Sequence, residues 1–91
     1  MIFRKLLETR SGGQNPISVT IEELVLNQEN PKIDGYCFRL PILNEMFVWY
    51  SQESNGEIKT LRTTKVVEID SIGNVLLIRT VSSKYRVVKN Q

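Results

Sequence analysis

Arg62, Lys65, Arg79, Lys84 and Arg86 lie in one stretch near the C-terminus. Guanidinium and ammonium groups at that density can hold an anion, either a nucleic-acid phosphate chain or an acidic patch on another protein. The charge is uneven along the chain. Residues 57–91 hold seven cations against three acids, residues 1–56 hold five against seven, and the formal net charge is only +2. That modest total weakens the nucleic-acid reading, because such binders concentrate more positive charge.

Other chemistries have little to work with. The chain has no histidine, which removes the usual general base near neutral pH, the Ser/His and Cys/His nucleophile pairs and the commonest zinc ligand. Cys37 is the single cysteine, so an internal disulfide is excluded and a cysteine-ligated metal or iron–sulfur site within one chain is not expected. Set between Tyr36 and Phe38 it reads as a small buried hydrophobe; a reactive thiol would need a cation, and Arg39 is the only one close by. Gly12-Gly13 has no phosphate-cradling context. Glu22-Glu23 and Glu68 with Asp70 are the only carboxylate pairs of interest. The first pair points to opposite faces of a strand and the second reads as a solvated strand face, so no catalytic residue, cofactor or metal is expected.

These side chains must be positioned by few elements. The chain has 91 residues, 41% of them hydrophobic and 24% charged, which fits one domain over residues 1–91 with a single core. A chain this short buries about 60 to 65% of its unfolded surface, so self-association is a natural supplement to its stability. No apolar run approaches the ~20 residues that span a bilayer. Met1 to Arg10 mixes apolar and charged residues without a signal-peptide core, and with one cysteine this points to the cytoplasm.

Met1 to Arg10 reads as a short first element, and residues 11–16 as a loop. In Ile17 to Leu26 two periods compete: Ile17, Val19 and Ile21 alternate as in a strand, whereas Thr20 with Glu23 resembles a helix capping box. A strand ending in a helical turn satisfies both. Tyr36 to Leu43 and Met46 to Gln52 flank Asn44-Glu45, which predicts a hairpin with Ile42 facing Phe47, Leu40 facing Trp49 and Arg39 facing Tyr50. On that register Phe38, Phe47 and Trp49 point inward, and Arg39 and Tyr50 form an outward cation–π pair or part of a binding surface. Pro41 cannot donate to a ladder and places its strand at a sheet edge. Ser54-Asn55-Gly56 is the clearest turn, followed by strands over Glu57 to Arg62, Lys65 to Asp70, Val75 to Val81 and Lys84 to Lys89.

Taking Ser82-Ser83 as a two-residue loop sets Arg79 opposite Arg86, Ile78 opposite Val87 and Leu77 opposite Val88. Leu76, Ile78, Thr80, Tyr85 and Val87 then form the core face. The other face carries Val75, Leu77, Val81 and Val88 among Arg79, Lys84 and Arg86, too many aliphatics for a purely solvated surface. Either the first half of the chain covers that face or another subunit does. Two facing arginines repel, so an acid must offset them. Glu68 from the neighbouring strand is the internal solution and an anionic ligand the external one.

The fold class that follows is all-β, with room for one short helix: a small antiparallel barrel or a two-sheet sandwich of about six or seven short strands. The segment LRTTKVVEIDSIGNVLLIRTVSSKYRVVK resembles the strand-turn-strand meanders of small SH3-like barrels, including short proteins of bacterial phages and mobile elements. The resemblance covers about a third of the chain and implies a binding role. Two readings of function remain open. One is a non-catalytic module that binds a protein partner or a second copy of itself; the other is a nucleic-acid-binding barrel using the basic strands. The candidate partner-binding residues are Arg79, Lys84, Arg86, Leu77 and Val88 of the last hairpin, with Arg39 and Tyr50 of the first.

Overall fold

The computed structural model describes residues 15–90, which form six strands and no helix. These are β1 (Ile17–Glu23), β2 (Ile33–Cys37), β3 (Met46–Gln52), β4 (Ile58–Ile72), β5 (Val75–Thr80) and β6 (Lys84–Lys89). Every neighbour is antiparallel, and β1 pairs with β6, so the sheet closes into a barrel in the order β1-β2-β3-β4-β5-β6. No helix among the described residues is long and apolar enough to cross a membrane. The first element expected over Met1 to Arg10 lies outside the described residues.

Alternation builds the interior. Val19 and Ile21 of β1, Cys37 of β2, Phe47 and Trp49 of β3, Val66 of β4, Ile78 of β5 and Val87 of β6 are buried together, with Leu61, Ile69, Leu76 and Tyr85 packed against them. Phe47 stacks on Trp49, and Tyr85 meets the indole edge-on. In Ile17 to Glu23 the strand period wins over the capping box, because Val19 and Ile21 gain full burial only on an extended backbone. The chain beyond Glu23 makes a tight turn instead of a helix, with Gln28 N donating to Val25 O and Asn27 at a φ of 60°.

The segments Glu57 to Arg62 and Lys65 to Asp70 are not two strands. Together they form the fifteen-residue β4, whose first half pairs with β3 and whose second half pairs with β5. Two register shifts, between Met46 and Val48 and between Val66 and Glu68, bend it around the barrel. At the first shift the ladder would lose a bond. The buried Thr63 hydroxyl supplies it, accepting from Phe47 N at 3.0 Å and donating to Thr64 O at 2.6 Å. Thr63→Val keeps the shape but orphans the Phe47 N–H, so it is expected to cost about 1 to 3 kcal/mol in urea unfolding while Thr63→Ser costs less. Equal losses from the two variants would mean that the methyl group, not the hydroxyl, matters.

The hairpin expected around Asn44-Glu45 does not form. β2 begins at Ile33 and ends at Cys37, and its only registered pair with β3 is Tyr36 with Tyr50. Residues 38–45 leave the sheet, turn through Leu43-Asn44 with Asn44 at a φ of 71°, and attach to β4 through Asn44 N to Val66 O and Val66 N to Glu45 O. Pro41 is buried in this loop rather than on an edge strand, and among the described strands the closed barrel leaves no free edge.

The last hairpin forms, with its turn one residue earlier than expected. Thr80 N donates to Ser83 O, so Val81-Ser82 is the loop, and β4 holds it through Val81 N to Lys65 O and Ser82 N to Thr64 Oγ1. Arg79 therefore faces Lys84, Leu77 faces Arg86 and Val75 faces Val88. Each facing partner moves by two residues, which preserves the inward set. Arg79 and Arg86 are not opposite each other.

Candidate functional site

Two outer surfaces collect the side chains capable of binding. The first spans the second half of β4 with β5, β6 and β1, where the antiparallel registers align side chains in rows across the strands. Glu68, Arg79 and Lys84 form one row; Asp70, Leu77, Arg86 and Glu22 form the next; Ile72, Val75, Val88 and Thr20 form the third. Five of the seven residues singled out in the sequence, Leu77, Arg79, Lys84, Arg86 and Val88, thus share one face.

Both arginines on it are already neutralised. Glu68 stands directly across from Arg79 and its Oε1 accepts from Arg79 Nε at 2.9 Å. Glu22 stands across from Arg86, with 3.3 Å between Oε1 and Nη1. These pairs are solvent-accessible, so each contributes at most about 1 kcal/mol. Their consequence is larger than their energy, since an external anion would have to displace an existing carboxylate. Glu68 was legible in the sequence as the internal counter-charge for Arg79; Glu22 was not, because the β1–β6 closure that delivers it joins residues far apart in the chain. Asp70, across from Leu77, and Lys84, across from Arg79, have no side-chain partner among the described residues.

Arg39 and Tyr50 lie elsewhere, and not as the expected pair. Arg39 forms an ion pair with Glu45. Tyr50 faces Tyr36 and Thr60 across its neighbouring strands, and its ring lies 5.5 Å from that of Phe38. Phe38 is therefore on the outer side of β3 rather than in the core. The loop of residues 38–45 rides over that side and leaves a cleft whose lining includes Phe38, Ile42, Met46, Val48 and Tyr50. Ile42, expected to face Phe47 on the inner side, is instead 40% exposed, and Leu43 and Met46 are 49% and 56% exposed. A signal for this exposure existed in the loop composition: Ile42-Leu43 beside Asn44 places aliphatics at a turn. Next to the cleft, Arg62 faces Val48 and Lys65 faces Met46 on β4. Neither cation has an acidic partner among the described residues.

Cys37 is buried, and burial pushes its thiol from 9.0 up to about 11 against a smaller opposing effect of a backbone hydrogen bond at Arg39. A thiol held protonated in this way is a packing group rather than a nucleophile. Among the described residues no three Cys, Asp or Glu side chains gather as a metal-binding group. The class defined by these features is a closed six-stranded antiparallel β-barrel with a partly apolar outer surface. No family model, curated protein or solved structure matches the chain.

Proposed function

We propose that this protein is a non-catalytic binding module that engages a protein partner through the cleft between the 38–45 loop and β3. The observation that carries this reading is the exposure of Ile42 and Met46 in the lining of the cleft, with Leu43 exposed next to Ile42 in the chain. Exposed aliphatics grouped with aromatic rings favour a partner that contributes its own apolar side chains. Arg62 and Lys65 beside the cleft add a preference for acidic residues flanking those anchors. The absence of histidine and the engagement of Glu22 and Glu68 with arginines support a non-catalytic role. The SH3-like resemblance of residues 61–89 supports the same role.

The test is selection from a random peptide library on the immobilised protein. Apolar anchors flanked by Asp or Glu are expected, with Met46→Glu weakening the selected peptides about tenfold or more, equivalent to about 1.4 kcal/mol. Failure to enrich peptides, or enrichment insensitive to Met46→Glu, overturns the assignment of the cleft.

One arrangement favours the second reading, a nucleic-acid-binding barrel. Tyr50 and Phe38 could stack on bases while Arg62 and Lys65 contact phosphates. The carboxylates already on Arg79 and Arg86 leave few cations for a phosphate chain. Binding of mixed single-stranded oligonucleotides that falls steeply with salt would replace the protein-contact reading.

A further inference from the structure

The outer face of β4, β5 and β6 carries its charges in separate strips. Glu68 and Asp70 stand on the β4 side, Leu77 and Val75 run along β5 in the middle with Arg79 at one end held by Glu68, and Lys84 and Arg86 stand on the β6 side. Ile72 and Val88 extend the apolar middle at one end, Ile72 being 66% exposed. An acidic strip and a basic strip on opposite sides of an apolar line make a surface complementary to itself. A two-fold axis lying in the interface along β5 sets Leu77 and Val75 against their own copies, and likewise Arg79, whose charge Glu68 offsets. The same rotation brings the β4 side of each molecule over the β6 side of the other.

We infer that this face is the contact between two copies of the chain, related by a two-fold axis along β5. The charges left over inside one molecule support that occupant over an unrelated protein. Glu68 is held by Arg79 and Glu22 by Arg86, whereas Asp70 and Lys84 are unmatched among the described residues and line one shallow depression beside Leu77. Across the axis, Asp70 of one copy meets Arg86 of the second and Lys84 meets Glu68, and the reciprocal contacts form by symmetry. The surplus acid and the surplus base thus each gain an opposite charge only between molecules. Near-parallel alignment of the two β5 strands is also a geometry in which twisted sheets pack well. The inference concerns a surface separate from the cleft beside β3.

Sedimentation velocity over micromolar to millimolar protein tests it, with circular dichroism to confirm that each variant is folded. The wild-type chain is expected to pass from monomer to dimer, and Leu77→Asp to weaken the dimer at least tenfold. Asp70→Lys and Lys84→Glu should each weaken it as well, because each places like charges across the axis. Arg86→Glu should weaken it too, and an equimolar mixture of Asp70→Lys and Arg86→Glu should restore dimers, since both 70–86 contacts across the axis are then opposite in sign. Met46→Glu should leave dimerisation unchanged, which separates this surface from the cleft. A wild-type chain that stays monomeric to millimolar concentration, as it would if another part of the chain covered the face, overturns the inference. So does a mixture that fails to dimerise, or a dimer indifferent to Leu77→Asp.

Discussion

Gly35→Ala is expected to lower the melting temperature by about 15 °C, corresponding to a loss of about 3 kcal/mol for a domain of this size. The residue is buried in β2, and a Cβ built on it would lie 2.3 Å from the carbonyl oxygen of Tyr50, 3.2 Å from that carbonyl carbon and 3.3 Å from Trp49 Cδ1. Backbone atoms cannot rotate away as a side-chain tip can, so β2 and β3 would have to separate. That seam has little to spare, because Tyr36 with Tyr50 is its only registered pair. Separation there would also disturb Trp49, which packs against Phe47 and Tyr85 in the core. Overpacking usually costs about 1 to 3 kcal/mol, and a clash with main chain belongs at the upper end. Gly73→Asn is the control: nothing lies within 4 Å of a Cβ there, and its φ of 59° is one that asparagine tolerates. It should melt within a few degrees of wild type. If Gly35→Ala does the same, the close approach of β2 to β3 is wrong.

The same seam explains what could be read in the sequence and what could not. In the last two strands the inward set of Leu76, Ile78, Thr80, Tyr85 and Val87 was legible, because a period of two survives any register shift of two residues. The pairing itself was not legible, since β4 supplies the partners that pull Val81 and Ser82 into the turn. Residues 38–45 misled for a related reason. Leu40 and Ile42 alternate like strand residues, yet Leu40 packs on the core while Ile42 forms the rim of an outer cleft. Only the long-range bonds from Asn44 and Glu45 to Val66 decide that path. The continuity of β4 was hidden by its bulges, which break the alternation without breaking the strand. The anion-binding role given to Arg79 and Arg86 rested on a pairing that the closed barrel replaces with Glu68 and Glu22. Charge arithmetic along a sequence cannot show which acids the closure will bring alongside.

Cys37 supplies a pH dependence whose direction follows from its environment. Burial raises the thiol from 9.0 in the unfolded chain to about 11 in the barrel, so the folded state keeps its proton where the unfolded state releases it. Below pH 9 both states are protonated and the full stability is present. As the pH rises between those two values the unfolded state ionises alone and is stabilised relative to the fold. The loss reaches about 2 to 3 kcal/mol at the upper value, since each pH unit between the two is worth about 1.36 kcal/mol. The Cys37 contribution is isolated by subtracting a Cys37→Ala chain, in which the thiol is gone and a small cavity remains. Urea unfolding at a series of pH values should show wild type more stable than Cys37→Ala near pH 8 by the cost of that cavity, with the margin shrinking steadily above pH 9. A margin that stays constant into strong alkali would mean that the thiol is solvated, and the buried position of β2 beside β1 would fall with it. In the same experiment, alkylation of the thiol should track the unfolded fraction, because a side chain 1% exposed offers no access to a reagent while the barrel is closed.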